Sequence, residues 1–281
     1  MSSNIMSTLR SDDPKTWLLR EEERLNAEAA RHIMLVWAWR IGFLVIFLGG
    51  WELSARQGWV NPFFTSSPSA VFNYLASAVV SASFWAHVQT TLIESIVSFV
   101  GGSVAAVLSG FLLAQSAIAR DATRPFLVIL NSMPRIALAP LLIIWFGLGM
   151  GSKIAVGISL TYFVVLNATL VGIDSVDPDQ KLLSRQLGMS RGEIFRRITL
   201  PSSVVSIFAG LNLGLVYGVL GVVVAEMLAA PKGLGHLIQY HAGVLQTEAV
   251  LGIIIFLALL VTGLVYGLDS LEKRLLRWRN A

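Results

Sequence analysis

The sequence predicts an all-α polytopic membrane protein with six transmembrane helices, and three observations lead there. The 281-residue chain is 55% hydrophobic and only 14% charged, against about 25% charged in an ordinary soluble domain. Its mean hydropathy is +0.70. Its apolar residues gather into six segments, each near the roughly 20 residues that cross a hydrocarbon core about 30 Å thick. Helices are the form such segments take, because backbone groups in lipid must be satisfied within the segment.

The segments are 33–54, 90–115, 125–146, 153–173, 202–228 and 249–268. No cleavable leader is expected: the first apolar run follows a charged stretch and lacks a small-residue cleavage pattern. Basic residues set the orientation. Arg10, Lys15, Arg20, Arg24, Arg31 and Arg40 precede or begin the first segment, and Arg120 and Arg124 lie between the second and third. Lys181, Arg185, Arg191, Arg196 and Arg197 lie between the fourth and fifth, and Lys273, Arg274, Arg277 and Arg279 follow the sixth. The opposite side holds only Arg56, Lys153 and Lys232. Positive charge stays inside, so both termini are expected in the cytoplasm. The pI near 9.6 is thus a topology signal, and nucleic acid is not an expected partner.

Residues 1–32 read either as a helix on the membrane surface or as a solvated tail. Asp13 suits an N-cap and Pro14 a first turn, with Trp17, Leu18 and Leu25 toward lipid and Glu21, Glu22 and Glu23 toward water. Residues 33–268 form the membrane domain, and 269–281 a basic cytoplasmic tail. Within the spans, Ser98, Gly102, Ala106 and Gly110 recur four apart, and Gly210, Gly214, Gly218 and Gly221 make a second stripe. Such stripes let helix backbones approach closely.

Enzymatic classes find little support. Cysteine is absent, which removes thiolate nucleophiles and Cys-based metal sites. His32, His87, His236 and His241 show no metal-ligand spacing; the last two read as surface residues of an outer loop. No phosphate-binding G-x-x-x-x-G-K-[ST] loop is present, since Gly147, Gly149 and Gly151 before Lys153 lack that spacing. No catalytic residue, metal site or cofactor is expected on this chain. An ion-gradient-driven secondary transporter is the rival class, but paired broken repeats are not evident.

The inner loop 174–201 carries the most information. Asp177-Pro178 reads as a helix start, a side-chain cap followed by proline. Gly188 reads as that helix's stop. Ser190 and Glu193 have capping-box spacing and start a second helix, with Ile194, Phe195 and Ile198 as its apolar face. Pro201 marks entry into the fifth span. The loop is either a surface hairpin joining two spans or a docking knob for a cytoplasmic partner.

Gly188, nine intervening residues, then Ile198-Thr199-Leu200-Pro201 resemble the signature loop of the permeases of binding-protein-dependent ABC importers. Ser67-Pro68-Ser69, Pro140-Leu141, Trp145-Phe146-Gly147, Ser175-Val176-Asp177-Pro178, Val222 to Met227 and Gly233-Leu234-Gly235 resemble the nitrate, sulfonate and taurine branch. Two departures stand out. Leu182-Leu183-Ser184 occupies the place of the family's Glu-Ala-Ala, and Glu94 stands where that branch has a basic or neutral residue. The resemblance implies a type I importer permease fold, with two permease subunits, here a homodimer, on two ATP-binding-cassette ATPase subunits. A periplasmic binding protein supplies substrate, and ATP and Mg sit on the ATPase. It also implies a coupling helix. Asp177, Leu182, Leu183, Ser184, Arg185, Gly188, Ser190, Phe195, Ile198, Leu200 and Pro201 are the coupling candidates.

For the path, Pro134 and Pro140 interrupt the third segment beside Asn131, Ser132 and Arg135. Proline removes a donor, which is tolerable where broken backbone lines a cavity. Arg135 falls near mid-membrane if the segment starts near Arg124, and a centred arginine costs about 2.5–3.5 kcal/mol on insertion scales. It either attracts an anion or is neutralised by Glu94 or Glu226 as a helix tie. Tyr162, Asn167, Tyr217 and Glu226 are further path candidates, and membrane lipid surrounds the whole.

Overall fold

A computed structural model of the chain describes residues 14–275. The expected cap Asp13 and tail cations Arg277 and Arg279 lie outside the described residues, as do the side-chain directions expected for Trp17, Leu18 and Glu21 to Glu23. Among the described residues all regular structure is helical.

The described chain from Pro14 up to Ser69 is one compact unit. It consists of α1 (Pro14–Arg56) and the short α2 (Pro62–Thr65). α1 runs unbroken past residue 32, so the stretch before the first expected span and the span itself are one helix. At its end, the Glu52 carboxylate accepts bonds from Arg56 Nε at 2.7 Å and from the Ser69 backbone N–H at 3.1 Å. Asn61 Oδ1 accepts the Phe63 N–H at 3.0 Å, which turns the chain into α2.

The second unit begins at Ala70. Its elements are α3 (Pro68–Ala78), α4 (Ala82–Ala114), α5 (Ala117–Ser132), α6 (Ala139–Phe146), α7 (Met150–Asp174), α8 (Pro178–Gln186), α9 (Arg191–Ile194), α10 (Leu200–Ala229), α11 (Leu234–Gly243) and α12 (Thr247–Leu275). α7 packs against both α4 and α10. The predicted small-residue stripes are the seams. Gly102 and Gly110 of α4 face Thr161 and Thr169 of α7, while Gly210, Gly214 and Gly218 of α10 face Ala168, Val165 and Thr161. A Cβ on Gly102 would stand 2.9 Å from that of Thr161, so even alanine would push the helices apart. Thr161 Oγ1 also donates to the Gly214 carbonyl at 3.0 Å, tying α7 to α10 inside the seam. A second core joins Phe84 and Val88 of α4 to Leu234 and Ile238 of α11 and to Ile253 and Leu257 of α12.

Among the described residues, helices long and apolar enough to span number five, or six if one bent pair counts as a span. That pair is the expected third segment, and it is not a straight helix. α5 stops at Ser132, a 3₁₀ turn covers Arg135–Leu138, α6 follows, and the two arms are bent by 81°. The cause is Pro134. The residue before a proline avoids helical angles, and Met133 is extended, with φ −70° and ψ 133°. Pro140 does no such damage, because it sits in the first turn of α6, where its missing N–H has no partner to lose. Two of the three expected outer connections are largely helical: 55–89 contains α2 and α3, and 229–248 contains α11. His236 and His241 therefore lie on a helix and not in a loop.

Candidate docking loop and polar path

The hairpin that begins with α8 is built from local bonds. Asp177 Oδ1 accepts the Asp179 N–H at 2.8 Å, the cap expected from Asp-Pro. At the other end Gly188 has φ +81°. Its N–H donates to the Arg185 carbonyl at 3.0 Å, and the Met189 N–H donates to the Ser184 carbonyl at 3.1 Å. These are the paired bonds of a Schellman stop, which needs a left-handed residue. Ser190 and Glu193 then bond reciprocally: the Ser190 N–H donates to Glu193 Oε2 at 2.9 Å, and the Glu193 N–H to Ser190 Oγ at 3.3 Å. Two capped ends back to back fix the angle between α8 and α9 with few degrees of freedom.

The second helix does not stop before the fifth span. α9 passes through a π-helical turn, Phe195–Thr199, directly into α10. Pro201 is the reason. It has no N–H to give the carbonyl four residues back, and its ring crowds that carbonyl. The backbone widens by one residue, so that the Leu200 N–H reaches the Phe195 carbonyl. Pro201 thus stands in the first turn of α10, at the expected entry into the fifth span, and also acts as a wedge within the longer continuous helix from Gly192 to Ala229.

The coupling candidates divide by exposure. Leu182, Leu183 and Leu187 are exposed, Leu187 by 74%, and Arg185, Gly188 and Ser190 are exposed beside them. Ser184 is buried, and its hydroxyl bonds the Gln180 carbonyl at 2.6 Å. Phe195, Ile198, Leu200 and Pro201 are half-buried; Phe195 sets its ring edge-on to Phe111 of α4 at 5.2 Å. The knob therefore has an apolar tip on α8 and a packed root on α4.

At the break between α5 and α6, part of the predicted path set comes together. Arg135 donates to Asn131 Oδ1 at 2.6 Å and to the Leu130 carbonyl at 3.3 Å. Its guanidinium lies 4.0 Å over the Phe163 ring, a contact with no forewarning in sequence. Asn131 and Asn167 exchange amide bonds at 3.2 and 3.3 Å. Among the described residues Arg135 makes no ion pair, so the reading in which Glu94 or Glu226 neutralises it is not supported. The Ser132 hydroxyl donates to the Val128 carbonyl of its own helix at 2.9 Å. Tyr162 instead donates to Ser109 of α4 at 3.1 Å, and Tyr217 is exposed on α10.

Glu226 belongs to a different cluster, one that sequence reasoning did not assemble. It is 1% exposed. Thr91 Oγ1 donates to its two oxygens at 2.7 and 3.0 Å, and the Gly235 N–H donates to Oε2 at 2.8 Å. Thr91 in turn accepts the Leu234 N–H at 2.8 Å, and the Gly233 N–H donates to His87 Nδ1 at 3.0 Å. The orphan N–H groups at the start of α11 are thereby satisfied from α4 and α10. Carboxylates suit that place, since helix N-termini carry partial positive charge. Gly233 has φ +115°, and a Cβ there would fall on the Glu226 carboxyl group. Glu94, 2% exposed, lies beside Glu226 in the same cluster, with its Oε2 buried and without a hydrogen-bond partner among the described residues. Lys153, expected on the outer surface, is buried too, its ammonium on the carbonyls of Leu148 and Gly149. The spacing from Glu226 to Gly233-Leu234-Gly235 was the available signal, but only the tertiary contact reveals its purpose.

Comparison with known proteins places these features in a group. Residues 98–278 match the family described as binding-protein-dependent transport system inner membrane component. The taurine transport system permease protein TauC of Escherichia coli (strain K12) is 28% identical over 259 residues, covering 88% of this chain and 94% of that protein. The riboflavin transport system permease protein RibX of Chloroflexus aurantiacus is 29% identical, covering 84% and 88%. The putative aliphatic sulfonates transport permease protein SsuC of Escherichia coli (strain K12) is 28% identical, covering 95% of each. Among solved structures, a chain of a bacterial ABC transporter that imports the acidic polysaccharide alginate superposes with a TM-score of 0.59 at 18% identity, covering 91% of this chain and 99% of that one. A chain of the MetNI methionine ABC transporter gives 0.56 at 20% identity, covering 68% and 93%. At these identities the structures speak for the fold alone.

Proposed function

Because the chain belongs to the family of binding-protein-dependent transport system inner membrane components, we propose that two copies of it form the path of an ATP-driven importer for a small anionic solute of the sulfonate or taurine kind. The chain is a permease component, and ATP hydrolysis belongs to a separate subunit. Both termini and the 174–201 loop face the cytoplasm in this reading, and a binding protein delivers solute from the other side. Residues 33–268 do the carrying, with the segments before and after them on the ATPase side.

The observation that carries the docking reading is the capped hairpin around Gly188. A connector between spans needs no rigid stop and restart, whereas a knob that transmits force does. Leu182, Leu183 and Leu187 form its contact tip, in place of an acidic one. For the solute, support comes from the taurine and aliphatic sulfonate relatives and from Arg135, a cation at a break in the spans with no carboxylate partner among the described residues. Asn131, Ser132 and Asn167 line the same stretch. A riboflavin relative of similar identity makes a neutral or larger solute the competing outcome.

Two measurements test this. Reporter fusions after Gln180 should read cytoplasm, fusions near Asn61 or Pro231 periplasm, and purification from native membranes should bring down a nucleotide-binding subunit. Uptake into vesicles driven by an ion gradient with no ATPase present would return the chain to the secondary transporters. Arg135→Gln should assemble normally and lose about 10- to 100-fold in anion uptake, the range of a charged hydrogen bond. Unchanged uptake by an assembled variant would remove Arg135 from the path.

A further inference from the structure

A cavity of about 690 Å³ opens between the ends of the spans and the hairpin. The α4 end contributes Ala114 and Gln115, α7 contributes Ile173, and the root of the hairpin contributes Ile194 and Phe195. Three cations line it: Arg120, Lys181 and Arg185. Arg120 pairs with Asp174, yet its Nε is buried with no hydrogen-bond partner. Among the described residues Lys181 reaches only the Ile173 carbonyl, at 3.4 Å. Such a set of cations is under-neutralised and beside apolar walls.

We infer that this pocket binds a phosphate-bearing anion at the level of the lipid headgroups, and so braces the hairpin against the membrane. The depth follows from Ala114 and Ile173, which stand at or beside the last residues of two spans. An anion answers Arg120 Nε, Lys181 and Arg185 together, and Ile194 and Phe195 suit the glycerol and upper acyl carbons of a phospholipid. An acidic side chain of the ATPase is the rival occupant, but α8 presents two faces. Lys181 and Arg185 are four apart and share the face with buried Ser184, whereas Leu182 and Leu183 lie about 100° and 200° further round. The exposed leucines, and not the pocket cations, form the tip offered to a partner. The inference rests on the cytoplasmic placement of this loop proposed above.

The test uses the full-length chain in nanodiscs of phosphatidylcholine, with or without phosphatidylglycerol, and reads retained lipid by native mass spectrometry. Wild type should retain phosphatidylglycerol over phosphatidylcholine. Lys181→Gln with Arg185→Gln should lower that preference roughly thirtyfold, from about one surface-charge contact per cation. Arg196→Gln with Arg197→Gln removes the same charge outside the pocket and should keep it. The variant Lys181→Arg with Arg185→Lys, which preserves charge, should keep it too and controls for folding. Competition by inorganic phosphate added to the discs would identify free phosphate as a second source of the same group. No preference in wild type, equal loss in both glutamine pairs, or release of the lipid on adding the ATPase subunit would overturn the inference. A periplasmic reporter at Gln180 would instead overturn the orientation, which separates the two failures.

Discussion

Gly188 and Gly233 both hold positive φ, +81° and +115°, and both sit at a helix end, yet they are glycine for different reasons. Around Gly188 a Cβ would meet nothing within 4 Å. There the demand is conformational only, and its bonds run to Arg185 within the same short loop. At Gly233 the demand is conformational and spatial, because the Glu226 carboxyl occupies the place of a side chain. The Gly233 N–H bonds His87 and the Leu234 N–H bonds Thr91, both more than a hundred residues away in sequence. The first turn is a local device with an exposed surface; the second is a lock among three helices. A fault in the first should uncouple without unfolding, and a fault in the second should unfold.

The largest effect is therefore expected at the lock. Gly233→Ala adds backbone strain of about 1–3 kcal/mol to overpacking of a similar size. Little monodisperse protein should survive detergent extraction, measured by size-exclusion chromatography. A normal yield would show that the α10–α11 junction can yield. Next comes Glu226→Ala, which leaves the Thr91 hydroxyl and the Gly235 N–H without their acceptor, at about 1–3 kcal/mol for each group so buried. Glu226→Gln keeps one acceptor oxygen and should lower the melting temperature less; equal losses would mean that charge, and not bonding, holds α11. The smallest stability effect is expected at Gly188. Gly188→Val strains the turn by about 1–3 kcal/mol in an exposed loop, so insertion should be normal while ATPase stimulation by the binding protein is lost. A Gly188→Val protein that extracts as poorly as Gly233→Ala would erase the contrast between the two turns.

The contrast also explains what sequence could show. The hairpin was legible almost residue by residue, because Asp177, Gly188, Ser190 and Glu193 act on backbone groups one to four positions away. The seams were legible because helical spacing brings Gly210, Gly214 and Gly218 to one face. The cluster of Thr91, Glu94 and Glu226 was not, since nothing in their spacing says that α4, α10 and α11 meet there. The same holds for the path: Arg135 and its flanking Asn131 were visible, whereas Phe163 beneath the guanidinium comes from another helix. The 81° bend was half legible. Two prolines announced an interruption, but only the extended Met133 shows which of them breaks the span.

One consequence follows from the π-helical turn at Phe195–Thr199. From Gly192 to Ala229 the hairpin root and the span are one continuous helix, with no break between α9 and α10. The wide turn stores one surplus residue, worth about 100° of screw rotation if it were expelled. Pro201 prevents that, since a ring without an N–H cannot complete the tighter winding. The wedge behaves as a ratchet pawl. It keeps the rotational phase of the glycine seam on α10 locked to that of α9, so the hairpin root and the span turn together.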